Sequence, residues 1–300
     1  MKALIADHTV PSGLRLGEVP DPVRGKNEML VQVTASSLNY GEVHRAQSGA
    51  ADGTVLGWDA AGVVVEAPDD VPFTKGDRVL TRGADGGWGQ LRAVDPGECA
   101  HIPAGVSDAD AAALPVAGGT ALLALRDAGA LLGRTVLVTG ASGGVGRFGV
   151  QLASLGGAHV IASVGGEHRK EGLHELGADE VVVGLEGVTG VDVVLDTVGG
   201  MQLVNIFSLL REGGVVECIG STSHENTVFP PYSLVGLQRS IRPFRMPQGL
   251  GTDLAYLLKC VREGSIHAEV DWHKSWSAVD EAVNLLFGRK LLGKAVIDCD

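Results

Sequence analysis

The sequence predicts an α/β protein made of a β-rich domain and a doubly wound parallel sheet, on three grounds. Residues Thr135–Gly156 read TVLVTGASGGVGRFGVQLASLG, an apolar run, a turn containing Gly140, Gly143, Gly144 and Gly146, then a helical pattern. After this turn, near-continuous apolar runs alternate with helical stretches, as strands buried on both faces require. Before it, short β-like runs are separated by Gly, Pro and Asp clusters, the spacing of a partly closed β domain.

Taken in order, Lys2–Ala6, Leu14–Val19, Met29–Ala35, Ala60–Ala67, Asp77–Thr81 and Gly89–Val94 are the strand candidates of a first domain over residues 1–115. Residues 116–248 carry the parallel-sheet candidates Thr135–Val138, His159–Ser163, Glu180–Val183, Asp192–Asp196 and Val215–Ile219, with a helix at Leu203–Leu210 ended by Gly213 and Gly214. In residues 249–300, Leu254, Leu257, Leu258 and Val261 share one helical face, as do Val279, Ala282, Val283 and Leu286. Ser277 with Asp280 predicts a capping box. The apolar run Lys294–Asp298 predicts a last strand that returns to complete the first domain.

Composition narrows the partners. Lys and Arg number 24 against 36 Asp and Glu, a net charge of −12 that repels phosphate backbones, so nucleic acid is not expected. The start MKALIADHTV lacks the sections of a signal peptide and no apolar run is long enough to span a bilayer, so a cytoplasmic protein with no membrane partner is expected. Cys99, Cys218, Cys260 and Cys299 are widely separated, which argues for reduced thiols rather than a disulfide framework or a thiolate zinc site.

The glycine turn fits more than one chemistry. As Ala141-x-Gly143-x-x-Gly146 it departs from the dinucleotide fingerprint at its first position, with Gly140 and Gly144 restoring freedom nearby. As Gly140-x-Ser142-x-Gly144 it matches the nucleophile elbow of a serine hydrolase, with Asp196 and His224 or His273 available in that chain order. A short-chain reductase would need Tyr-x-x-x-Lys, yet Tyr40, Tyr232 and Tyr256 are followed by His44, Gly236 and Cys260. The next strand arrives after one short helix and leads into Gly165 and Gly166, as a β-α-β mononucleotide unit requires. Dinucleotide binding is therefore the leading reading, with pyrophosphate on the amides of Gly143, Gly144 and Val145 beside Ser142. The second strand ends Ala162-Ser163-Val164-Gly165-Gly166 without the acid that would hold NAD ribose, and Arg169 and Lys170 follow. That favours NADPH, with Glu167 as the opposing signal.

The phrases Leu38-Asn39-Tyr40, Leu56-Gly57-Trp58-Asp59-Ala60-Ala61-Gly62-Val63-Val64, Gly76-Asp77-Arg78-Val79 and Leu114-Pro115-Val116-Ala117-Gly118-Gly119-Thr120-Ala121, together with the turn, span the chain in order. The set resembles the zinc-independent quinone oxidoreductase and enoyl reductase branch of the medium-chain dehydrogenase/reductases. The resemblance implies a GroES-like β domain plus a Rossmann-type domain, with the active site between them. It implies cofactor contacts from Asn39, Thr120, Val198, Ile219, Gly220, Arg169 and Arg289, in addition to those at the turn. It places Asn39 and Tyr40 beside the nicotinamide, with Tyr40 as candidate proton donor, and it implies a homodimer paired edge to edge at Ser240–Met246. Zinc enzymes of the superfamily carry a His-Glu pair where this chain has Trp58 and Asp59, and a lobe of four cysteines that is absent here. Without zinc, the acceptor must delocalise charge itself, as a quinone or an α,β-unsaturated carbonyl does. The expected function is thus NADPH-dependent hydride transfer to such a small molecule. The alternatives are a dedicated biosynthetic enoyl reductase, a catalytically silent NADPH-binding protein and, last, the Ser142 hydrolase. Trp58 is expected to fill the space a metal would take, with a possible stacking role, and Asp59 to tie the β domain together.

Overall fold

The computed structural model describes residues 1–300, which divide into Met1–Gly119 with Pro247–Asp300, and Thr120–Met246. The expected boundaries at 115 and 249 fall at 119 and 247, the first of them inside the helix Pro115–Asp127.

In the first unit, β1 (Lys2–Ala6) and β2 (Leu14–Glu18) form an antiparallel pair. They are followed by β3 (Met29–Leu38), α1 (Tyr40–Ser48), β4 (Asp59–Glu66), β5 (Arg78–Arg82), β6 (Leu91–Val94), β7 (Cys99–His101) and α2 (Asp108–Ala112). α3 (Pro115–Asp127) leads into the second unit, which holds β8 (Thr135–Thr139), α4 (Gly144–Leu155), β9 (His159–Val164), β10 (Glu180–Val183), β11 (Val191–Asp196), α5 (Gly200–Leu209), β12 (Leu210–Cys218) and β13 (Ser240–Pro243). The chain then returns to the first unit with α6 (Gly251–Arg262), β14 (Val270–Ser275), α7 (Val279–Phe287) and β15 (Lys294–Asp298).

The sheet of the first unit runs β14-β15-β3-β4-β5-β7, with β6 also on β3. The C-terminal strand does return: β15 lies antiparallel to β3 with Ala295 opposite Leu38, which brings Lys294 to the end of β3. Burial along β3 alternates and then becomes continuous from Ala35 to Leu38, where β4 and β15 flank it. Trp88, Trp272 and Trp276 pack there with Leu4, Leu38 and Leu56 in one apolar core. β7 and β14 escape the sequence reading because they are short or carry mixed polarity. The capping box expected at Ser277 does not form. A 3-10 turn over Trp276–Ala278 precedes α7, and the Ser275 side chain caps that turn instead.

The second unit is a parallel sheet in the order β10-β9-β8-β11-β12-β13, a doubly wound arrangement. Its central strands are buried along nearly their whole length, in line with their apolar composition. Gly213 and Gly214 do not end a helix; α5 stops at Leu209 and both glycines lie inside β12, where Gly213 N–H donates to Gln238 O at 2.6 Å. The edge strand is shorter than expected, Ser240–Pro243, with Pro243 as its last residue.

β12 and β13 are joined by Glu217 facing Arg242. Arg242 Nη1 lies 3.6 Å from Glu217 Oε1 and 3.0 Å from Asp127 Oδ2. Burial, and then the charge of Asp127, push Glu217 up to about 7 from the usual 4.5. The folded state therefore keeps a proton that the unfolded chain releases, so stability is fullest below about 4.5 and falls as pH rises toward 7. Glu217→Gln is expected to flatten that fall and to raise Tm at pH 8 by roughly 3–6 °C, equivalent to about 1–2 kcal/mol. Parallel Tm–pH curves for the two proteins would contradict this. All four cysteines are free thiols, and burial pushes Cys99 up to about 12, so it is unreactive at neutral pH.

Candidate functional site

At the C-terminal end of the parallel sheet, β8 leaves through Gly140, whose φ of +57° supplies the left-handed residue the turn needs. This accounts for Ala141 at the first fingerprint position: the conformational demand falls one residue earlier. Ala141 is wholly buried and its N–H donates to Ser163 O at 3.0 Å. Gly143 is the N-cap of α4 and brings no side chain to the helix end, while Gly143, Gly144 and Val145 are only half-buried. A β-carbon on Gly146 would overlap Gly140 O and stand 2.6 Å from Ala141 Cα, so glycine there permits the close helix-to-strand approach. The helix N-terminus, with its N–H groups and partial positive charge, is left open to an anion.

Asp196, at the end of β11, organises the neighbouring bend. Its Oδ1 accepts from Thr139 Oγ1 at 2.7 Å and Val198 N at 3.2 Å, and its Oδ2 from Gly199 N at 3.0 Å. Burial raises its pKa, and these three donors oppose the rise. Its carbonyl accepts from Ile219 N at 2.8 Å and Gly220 N at 3.2 Å. Val198, Ile219 and Gly220 are thereby gathered next to the glycine turn. Gly165 has open space around it, whereas Glu167 points into solvent, paired with Lys170 at 3.0 Å. The acid that opposed NADPH is therefore turned away. Arg169 reaches back over the turn, its Nε donating to Ser142 Oγ at 2.7 Å.

Ser142 and Ser163, both expected among the cofactor-binding residues, turn their hydroxyls inward. Ser142 is 1% exposed, its hydroxyl already bonded to Arg169; Ser163 is also 1% exposed and donates to Gly184 O at 2.6 Å. Neither hydroxyl is presented to a ligand. The hydrolase alternative falls with them, since Ser142 faces a guanidinium, both Asp196 oxygens are occupied, and His273 is bonded to Asp298 at 2.7 Å in the other unit. Thr120 is buried on α3, and Arg289 is exposed just beyond α7.

In the first unit, the end of β3, the start of α1, the start of β4 and the start of β15 converge on a buried charge cluster. Glu42 Oε1 accepts from Asn39 N at 2.8 Å and Asn39 Nδ2 at 2.9 Å, and its Oε2 from Trp58 N at 2.6 Å. Asp59 Oδ2 accepts from Ser37 Oγ at 2.7 Å and Asn39 Nδ2 at 2.8 Å, and its Oδ1 from Val116 N at 3.0 Å. Lys294 Nζ donates to Leu38 O at 3.1 Å and Asn39 Oδ1 at 2.5 Å, and lies 3.9 Å from Asp59 Oδ2. Glu42 and Asp59 are wholly buried and Lys294 is 3% exposed. Burial, and then the Asp59 charge, raise the pKa of Glu42; burial lowers that of Lys294, against the pull of both carboxylates. Asp59 thus ties the unit together, as expected. Asn39 departs from expectation: both amide hydrogens and its oxygen are used within the cluster, so its side chain positions neighbours and has no free donor for a substrate or cofactor. Tyr40 is half-buried at the start of α1, edge-on to Phe287 at 5.1 Å and stacked on His44 at 6.3 Å.

Glu42, Lys294 and Arg92 are absent from the sequence reading. Asn39-x-x-Glu42 has the spacing of a capping box, a signal open to detection. Lys294 at the head of an apolar strand and Arg92 inside one give no local sign of what they meet.

Models of an alcohol dehydrogenase GroES-like domain and a zinc-binding dehydrogenase match residues 25–132 and 144–263. The chloroplastic quinone-oxidoreductase QR1 of Triphysaria versicolor is 30% identical over 96% of this chain and 94% of its own. The chain belongs to the medium-chain dehydrogenase/reductases, in their quinone oxidoreductase and enoyl reductase branch. Erythronolide synthase EryA2 of Saccharopolyspora erythraea is 38% identical over 68% of this chain, which spans 6% of that protein's length. The quinone oxidoreductase structure from Coxiella burnetii is 28% identical and superposes with a TM-score of 0.87 over 99% of this chain and 98% of that one. The fold is accordingly a GroES-like domain plus a Rossmann-type sheet. Zinc, for which one matching model is named, does not fit this chain: Trp58 offers no lone pair, the two carboxylates are saturated by donors, and Lys294 already supplies positive charge beside Asp59. No group of three His, Cys, Asp or Glu side chains is placed to hold a metal.

Proposed function

We propose that this medium-chain reductase uses NADPH to reduce a quinone or an α,β-unsaturated carbonyl, with no metal in the step. The observation that carries the proposal is the donor set around Trp58, in which an indole stands where the resemblance puts a metal ligand and an ammonium lies 3.9 Å from the neighbouring Asp59 carboxylate. Such a site has no Lewis acid for an isolated alkoxide, and it suits an acceptor that spreads incoming charge over conjugation. When bound, the reduced nicotinamide supplies the hydride. The protein's own part is to hold and orient. The open amides of Gly143–Val145 would receive the pyrophosphate, and Val198, Ile219, Gly220 and Thr120 would help to hold the cofactor. Arg169, over the turn, would bind the 2′-phosphate. The Tyr40 hydroxyl donates a proton to the acceptor's carbonyl oxygen.

The test is NADPH oxidation by the purified full chain with a panel of quinones, enones and enoyl thioesters. Turnover with at least one acceptor is expected, and none would overturn the proposal. Arg169→Ala is expected to weaken NADPH about 10–100-fold while changing NADH much less, the loss of a charge-assisted phosphate contact. Comparable kcat/KM for NADH and NADPH in the wild type would overturn the cofactor assignment. The match to erythronolide synthase favours a second reading, a biosynthetic enoyl reductase, which strong preference for the enoyl thioester would single out.

A homodimer is part of the same proposal. β13 is an edge strand exposed at all four residues, and Val228, Tyr232, Leu234, Val235 and Leu237 are exposed on the segment before it. An unpaired edge beside apolar surface favours strand addition by a second copy. Sedimentation at the mass of a single chain would refute it.

A further inference from the structure

Trp58 is clamped at its N–H and at its carbonyl by two buried side chains, a carboxyl and a guanidinium. Its N–H donates to Glu42 Oε2 at 2.6 Å, and its carbonyl accepts from Arg92 Nη2 at 2.8 Å and Gly83 N at 2.9 Å. Arg92 is 1% exposed on β6, also donates to Thr81 Oγ1 at 2.9 Å and Gly57 O at 3.3 Å, and leaves its Nε without a partner. Gly83 makes room for the guanidinium, since a β-carbon there would overlap Arg92 Nη2. Burial pulls Arg92 down only to about 10, so it stays a cation at neutral pH.

Burying an arginine and a glutamate costs free energy that well-packed apolar residues would not. Among the groups that both hold in place is the backbone of Trp58, whose indole is half-buried. Its Cη2 lies against Gly41, 3.1 Å from where a β-carbon would stand, in the first turn of α1 beside Tyr40. We propose that Trp58 is the stacking wall for a planar conjugated acceptor and that Arg92 is the positioning residue that sets the plane of the indole. This rests on the reductase reading above, whose acceptor it narrows to fused-ring quinones. A bicyclic quinone laid on an indole gains offset-stacking and dispersion contacts over its whole face, whereas a linear enone presents one short flat segment.

The experiment compares kcat/KM for menadione with that for a linear enone, pentenone, using the full chain with NADPH. Trp58→Leu is expected to lower the menadione-to-pentenone ratio about tenfold, carried by KM for menadione, while Trp58→Phe keeps it within about threefold. Arg92→Met is expected to shift the ratio the same way with NADPH affinity retained. Arg92→Lys, which keeps the charge without the fork that spans two carbonyls, decides the matter if the methionine variant does not fold. A merely structural role would lower both substrates together. A ratio unmoved by Trp58→Leu overturns this inference alone, and a wild type that reduces neither probe overturns the reductase reading and the inference with it.

Discussion

Replacing Lys294 with methionine is expected to cost about 3–5 kcal/mol of stability, the largest effect of any single substitution in the first unit. The side chain is 3% exposed, and its ammonium is the cation that touches both Asn39 and the Asp59 carboxylate. Removing it leaves Glu42 and Asp59 wholly buried, with Arg92 as the remaining nearby positive charge. On a protein of this size the loss corresponds to a fall in Tm on the order of 10 °C. The pH dependence has a definite sign. Lys294 lowers the pKa of Glu42, so without it the carboxyl rises further above its usual 4.5. A carboxyl whose folded-state value is raised stabilises below the unfolded value and loses that contribution as pH rises. The deficit of Lys294→Met is therefore greatest at alkaline pH and shrinks on acidification. Combining it with Asp59→Asn is expected to cost less than the sum of the two single losses, because the second change removes the charge that the first exposes. Additive losses in chemical denaturation would show that the contact contributes no coupling.

Gly146→Val is expected to weaken cofactor binding severely, with an increase in Kd for NADPH of at least about 100-fold, about 2.8 kcal/mol. The new side chain would overlap Gly140 O and stand 2.6 Å from Ala141 Cα. Both are backbone atoms, so α4 itself must retreat and carry the amides of Gly143–Val145 with it. Gly143→Ala is the discriminating control. Its φ of −85° is open to any residue and its added carbon would lie 3.4 Å from Gly140 O, so the fold tolerates it. There the methyl group would obstruct the approach of a phosphate instead of displacing the helix. Weakened NADPH binding is expected in both variants, with a lowered Tm only for Gly146→Val. Tight binding to Gly143→Ala would place the pyrophosphate elsewhere.

The glycine turn, the parallel strands around it and the returning last strand were legible because each is written in a local pattern. An apolar run buried on both faces needs no partner to be recognised, and a turn that must pass close to a helix shows itself as glycine. The Trp58-Asp59 pair was legible as a departure, because a single position reports what kind of ligand it lacks. The shortest strands, β7 and β14, were not, since a few residues of mixed polarity carry no period. Nor were the inward turns of Ser142, Ser163 and Asn39, whose residue types suit a ligand contact as well as an internal hydrogen bond.

The sequence by itself determined the two-part α/β architecture, the glycine turn and the poor fit to zinc, all properties of residue type and spacing along the chain. Only the tertiary structure decided that Lys294 meets Asn39 and Asp59, and that Arg92 meets the carbonyl of Trp58. A buried charge is tolerable only where its partners converge, and those partners lie on strands distant in sequence and joined by register. The pairing of β15 with β3 brings Lys294 to its partners and the pairing of β6 with β3 places Arg92, and no local pattern specifies either register.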